Sequence, residues 1–307
     1  MKLQDNAQLQ TSKMQQHVQL ADVRTLAFDE YGTADGFPVV YMHGTPGARL
    51  EWLMFGTDDM ARAANVRLIV PDRPGIGLSK FQPDRKISDW PDDVRQLADH
   101  LELERFSVLG ISGGCPYVLA CAARMPERIA SVGVVSGIGP HNIPGLTDGM
   151  NPNALRTLHM SVERPNVFRL IWWIQGLLAR LSPRLFAAQA ASVFTPVDQQ
   201  FLHQRDFAER FVAVIRETLR QGTEPLRQDV ALMVSPWDFD PHDVSVPVVM
   251  WQGGVDTDAT PAMARYLTEQ IPHARLTFLE AEGHISLSAR HMPEILSAVV
   301  AAAKEHP

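Results

Sequence analysis

Short, mainly apolar runs, each followed by an amphipathic helical pattern, constrain this chain more tightly than any other feature. Residues 39–42, 67–70, 106–111 and 129–135 are such runs. Short β-branched segments without a polar side belong to strands buried on both faces. Helical patterns lie between them, over residues 48–64, 88–101 and 116–125. Ser88 is placed to cap the second, with Asp89, Asp92 and Asp93 in first turns that favour acids. Strands alternating with helices predict a parallel, doubly wound α/β sheet. Loose alternation over 18–31 predicts an antiparallel edge hairpin, preceded by a polar tail over residues 1–17. The rhythm stops near Pro140. Residues 141–235 hold helical patterns and no convincing strand. Strands over 246–251 and 275–279, with helices over 261–270 and 293–304, then resume it. One sheet domain, residues 18–140 and 236–307, interrupted by a helical insertion, accounts for this order.

Bulk properties narrow the function classes. A chain of 307 residues, 45% hydrophobic, has the length for one large domain and a covered open sheet. Its net charge of −7, with no basic cluster interleaved with aromatics, argues against nucleic acid or an anionic membrane as main partner. Cys115 and Cys121 lie six apart on one predicted helix, on different faces, so they read as unbridged thiols of a reducing, cytoplasmic compartment. The longest apolar stretch, residues 170–179, is too short to span a bilayer. No histidine or cysteine set has zinc spacing and no glycine loop fits a phosphate, so neither a metal nor a cofactor is expected.

The pentad Gly110-Ile111-Ser112-Gly113-Gly114 sits between a predicted strand and a predicted helix. A serine at so tight a turn takes a strained backbone, and glycines two before and two after remove side chains that would collide. The turn pushes the hydroxyl out of the sheet and aims a helix N-terminus at it. That suits Ser112 as a nucleophile whose product carries negative charge. The Gly113 N–H, at the start of the helix, is a natural donor to that charge.

Four motifs in order, His43-Gly44-Thr45-Pro46-Gly47, Asp72 to Ser79, the serine pentad and Glu282-Gly283-His284, make the chain resemble the α/β-hydrolase superfamily. The likeness is to its capped esterase, lipase and aminopeptidase-like branch. It runs from about residue 18 to 305, weakest over the insertion. It implies a Ser-Asp-His triad: Ser112, His284 as base, and Asp256 as the acid that orients it, with Asp258 a rival in the same loop. It implies an oxyanion hole from the N–H groups of Thr45 and Gly113, and a structural role for His43 and for Asp72 to Ser79. Arg73 is expected to pair with a loop carboxylate. Residues 141–235 become a helical cap, with Phe168, Trp172, Trp173, Leu177 and Phe194 as its bulky apolar side chains. Trp172 and Trp173 are candidates to line the substrate site. The expected partner is a small molecule with an apolar acyl or aromatic group, and the apolar cap leaves room for a homodimer.

The expected reaction is hydrolysis of a small carboxylic ester. Cleavage of a carbon–carbon bond or lactone uses the same triad, and a ligand receptor on the hydrolase fold is the non-enzymatic alternative. Proline iminopeptidases are close in motif, but Thr45 stands where their loop has glycine and Gly113 where they have tryptophan. The insertion has ten arginines against eight acids, a poor setting for a free amino terminus.

Overall fold

A computed structural model describes residues 13–305. Its sheet has eight strands: β1 Lys13–Gln19, β2 Thr25–Gly32, β3 Phe37–Met42, β4 Val66–Pro71, β5 Phe106–Ile111, β6 Ile129–Val135, β7 Val248–Gly253 and β8 Ala274–Leu279. They lie in the order β1-β2-β4-β3-β5-β6-β7-β8. β2 is antiparallel to β1 and β4, and every other pair is parallel. This is the mostly parallel, doubly wound sheet that the apolar runs require. β5 and β6 are buried along their whole length, as strands covered on both faces must be.

β1 corrects the expected tail: residues 13–17 form its first part, and the remainder of that tail lies outside the described residues. The sequence hides the start of this strand because it is an edge strand. Lys-Met-Gln-Gln-His-Val-Gln has almost no apolar side, and only Val18 is buried.

Helices α1 Trp52–Phe55, α2 Asp58–Ala63, α3 Trp90–His100 and α4 Cys115–Arg124 belong to the first half of the sheet. The single helix expected over 48–64 is broken at Gly56, where a Cβ would overlap the Trp52 indole. Ser88 turns its hydroxyl to Asp238 instead of capping α3, which starts two residues later. Between β6 and β7 come six helices: α5 Pro152–Glu163, α6 Pro165–Leu181, α7 Pro183–Ala191, α8 Pro196–Leu202, α9 Arg205–Thr218 and α10 Glu224–Val234. Four of them open on proline and α10 has Pro225 second, where the missing N–H costs nothing. After the sheet resumes come α11 Pro261–Gln270 and α12 His284–Glu305.

One face of the sheet packs Trp90, Val94, Tyr117, Val118 and Leu267 from α3, α4 and α11. The other packs Trp52, Phe55, Leu287, Ile295 and Val299 from α1 and α12. Each such side chain contributes about 1.5–3 kcal/mol on burial before its entropy is counted. Both cysteines are buried and unbridged on α4. No helix among the described residues is long and apolar enough to cross a membrane.

Candidate active site

Ser112 begins the turn from β5 to α4 with φ at +52°, a conformation that costs a non-glycine residue about 1–3 kcal/mol. The neighbouring glycines explain how the turn closes. A Cβ on Gly110 would lie 2.8 Å from the Gly114 carbonyl oxygen, and one on Gly114 would run into the carbonyl of Met42. The Ser112 carbonyl accepts from the N–H of Ile138, which ties the turn to the loop after β6.

His284 and Asp256 meet. Ring atom Nδ1 lies 2.9 Å from Oδ2 and 3.1 Å from Oδ1 of Asp256. Oδ1 of Asp256 also accepts the N–H groups of Asp258 and Ala259, each at 2.9 Å, so the turn after β7 fixes the carboxylate. Asp258 is held differently: its carboxylate lies within 4.8 Å of both others, but Asp256 takes Nδ1. Burial, opposed by the pull of His284, pushes the Asp258 carboxyl up to about 6. Burial also disfavours a charged His284, yet the carboxylates of Asp256, Asp258 and Asp198 outweigh it and raise the imidazole well above its ordinary value. Asp256, Asp258 and His284 are also the one group of metal-ligand type among the described residues. Both Asp256 oxygens are already committed to hydrogen bonds, which makes the trio an ion pair with a second acid beside it.

Asp198, on α8, was not singled out by sequence reasoning. It is fully buried and accepts the N–H groups of His284, Ile285 and Ser286 at 3.1, 2.9 and 2.8 Å. His284 is therefore the first residue of α12, not a loop residue, and the helix starts nine residues before the expected position 293. A helix N-terminus is the positive end of the macrodipole and disfavours a cationic imidazole there. Asp198 supplies the opposing charge. Gly283 leaves the space, because a Cβ on it would overlap the Asp198 carboxylate. The only sequence signal is Thr195-Pro196-Val197-Asp198, a capping pattern. Thr195 does donate to Asp198 at 2.6 Å, but the carboxylate caps a second helix 86 residues away.

The loop after β3 is pinned from below and from the insertion. Glu51 accepts the Gly44 N–H at 2.8 and 3.0 Å and the Tyr41 hydroxyl at 2.8 Å. Burial, against those donors, pushes Glu51 up to about 7. The Arg73 N–H donates to His43 Nε2 at 3.2 Å, which leaves Nδ1 to donate to the Gly44 carbonyl at 2.9 Å. Burial first, then Arg73, hold His43 well below the usual imidazole range, so it is a neutral strut.

The Thr45 hydroxyl accepts from Arg73 at 2.6 Å and donates to Asp229 at 2.8 Å. It is fully used in the scaffold, with no proton left for a substrate. Thr45 abuts Gly113: a Cβ there would sit 2.6 Å from its Oγ1. A Cβ on Gly44 would lie 3.4 Å from the Ser112 Cβ, so both glycine-containing turns converge on Ser112.

Arg73 does pair with a carboxylate, but the partner is Asp229 of α10, not a loop acid. Arg85 and the Tyr117 hydroxyl bind the same carboxylate. Burial opposes the charge on Asp229, and the two guanidiniums reverse that, holding it far below the carboxylate range. Arg49 makes a parallel clamp, binding Asp72 and Glu217 of α9, each at 2.6 Å.

The two tryptophan candidates separate. Trp172 is half-buried against Phe168, ring centroids 6.1 Å apart. Trp173 is 60% exposed on the outer side of α6, which removes it from any enclosed pocket. Neighbouring positions on a helix point about 100° apart, so one cannot face inward when the other does. A cavity of about 570 Å³ reaches Asp256 between Thr195–Val197 and Val255–Thr257, without Ser112 or His284 in its wall.

Residues 38–288 match the family described as alpha/beta hydrolase fold. An uncharacterized hydrolase of Bacillus subtilis (strain 168) is 25% identical over 86% of this chain and 92% of its own. A proline iminopeptidase of Neisseria meningitidis is 29% identical, over 40% of this chain and 39% of its own. The crystal structure of an esterase from Rhodococcus sp. ECU1013 superposes with a TM-score of 0.69 at 18% identity, covering 96% of this chain and all of that one.

Proposed function

The chain belongs to the α/β-hydrolase family and is a hydrolase, and from that premise we propose a serine hydrolase that cleaves a small carboxylic ester. Ser112 Oγ attacks the ester carbonyl while His284 takes its proton. Asp256 holds the ring through Nδ1 and stabilises the imidazolium that forms. The tetrahedral oxyanion is held by the N–H groups of Gly113 and Thr45, each donor contributing about 3–4 kcal/mol. His284 returns the proton to the leaving alcohol, the acyl group stays on Ser112, and water activated by the same imidazole releases the acid. Two observations support this reading: the Asp256–His284 pair, and a strained serine turn after β5 at the same sheet edge as the ends of β7 and β8 that precede the pair.

The helices over 152–234 act as the cap in this reading, with their apolar interior over an acyl or aromatic group. Aminopeptidase activity is the second reading, and the buried acids of the insertion weigh against it. Asp198 caps α12, Glu217 binds Arg49 and Asp229 binds two arginines, so each is committed to the scaffold. A panel of p-nitrophenyl esters and amino-acid p-nitroanilides separates the readings. Ester turnover lost in a folded Ser112→Ala variant is expected. Preferential anilide cleavage would replace esterase with aminopeptidase, and turnover surviving in that variant would overturn the nucleophile.

A further inference from the structure

α6 is apolar on two opposite sides, an arrangement a helix keeps only when both sides are covered. One side turns Phe168, Gly176 and Ala179 into the protein. The opposite side carries Val167, Leu170, Ile174, Leu177 and Leu181, between 40% and 77% exposed. Of the twelve exposed large hydrophobic side chains among the described residues, eight fall between positions 162 and 185. That concentration makes a patch, not the usual scatter of single apolar residues.

The charge on this face differs from that of the whole chain. Residues 164–197 contain Arg164, Arg169, Arg180 and Arg184 and no aspartate or glutamate, within a chain of net charge −7. All four arginines are exposed, and Arg169 shares Glu224 of α10 at 3.2 Å. At 3.6 residues per turn, Arg169 and Arg180 line one edge of the stripe, and Trp173 falls between them and the aliphatic side chains. Cations, then an indole, then leucine and isoleucine is the cross-section of a helix lying in a membrane interface. Its 17 residues span about 26 Å and carry two arginines, so the helix lies on a bilayer and does not cross it. A second copy fits this face less well. A twofold that packs α6 antiparallel against its copy sets the patch against itself and brings the Arg169 and Arg180 row of one copy onto that of the other.

We propose that the outer face of α6 seats this protein on an anionic lipid bilayer. The charge of −7 that argues against such a surface for the chain as a whole is not the charge of this face.

The test is sedimentation of the full-length protein with vesicles of phosphatidylcholine alone or mixed with phosphatidylglycerol. Binding to the mixed vesicles, weakened by salt, is expected. Arg169→Gln and Arg180→Gln should each weaken it about fivefold, and the pair Leu170→Ser with Leu181→Ser tenfold or more. These positions are exposed, so thermal unfolding of the variants should match the parent. No binding by the parent, or equal binding to both vesicles, would overturn the proposal. So would a parent dimer that the leucine pair converts to monomer, since a second copy then covers the stripe.

Discussion

The sheet and the inserted helices contribute to the candidate site in different currencies. Strand ends carry the proposed catalytic residues: Ser112 after β5, Asp256 after β7, His284 after β8, with Thr45 after β3. The insertion brings buried carboxylates that hold those loops: Asp198 on the helix that starts with His284, Asp229 on Arg73 and Thr45, and Glu217 on Arg49. Apolar burial organises the sheet, whereas ionic hydrogen bonds at low exposure organise the seam. Such pairs add little net stability over an apolar seam, but breaking one leaves an uncompensated buried charge. The difference teaches that the insertion is part of how the site is shaped, and not simply a cover laid over it.

The largest expected effect separates chemistry from scaffold. Asp256→Asn should cut kcat on the order of 10⁴-fold with the fold intact, because the wrong imidazole tautomer is then held. Steady-state kinetics on a p-nitrophenyl ester checks it, and a comparable loss in Asp258→Asn but not in Asp256→Asn would exchange their roles.

Asp229→Ala should destabilise by about 3–5 kcal/mol, since two buried arginines lose their anion. The melting temperature should fall on the order of ten degrees, and an unchanged melt would mean the seam is not held in this way.

Asp198→Asn tests the insertion's reach to the base. The three acids around His284 raise its pKa, so activity should be lost as pH falls through a value above the ordinary 6.5 or so. Removing one anion lowers that pKa, and the acid limb of kcat/KM should move to lower pH, with kcat down on the order of tenfold. A loss of activity with no movement of the limb would reduce Asp198 to a structural cap.

The smallest effect is expected for Asp258→Asn, a few-fold change with a shift of the limb in the same direction. Its measurement is the same pH profile.

Much of this was legible in the chain before any coordinates. Apolar runs announced β3 to β7 because strands buried on both faces are mainly apolar, with the few buried polar side chains, such as Ser107 and Ser131, bonded to each other. The serine pentad announced its own geometry, since glycine is the only residue that fits at 110 and 114. The first five residues of β1 escaped because an edge strand needs no apolar face, and α12 begins earlier than its local pattern suggests because its cap, Asp198, lies 86 residues upstream. Local capping rules see neighbours in sequence, and Pro293 inside the helix read as its beginning. The clamps on Arg73 and Arg49 escaped for the same reason. A lone arginine in a turn motif names no partner, and Asp229 and Glu217 lie on amphipathic helices where acids ordinarily face water.

Labelling with a fluorophosphonate, followed by mass spectrometry of the peptides, tests the central assignment most directly. The expected result is one adduct, on Ser112, formed by the folded parent and lost in His284→Ala. A folded parent that takes no adduct, or takes it on another residue, would contradict the proposed nucleophile.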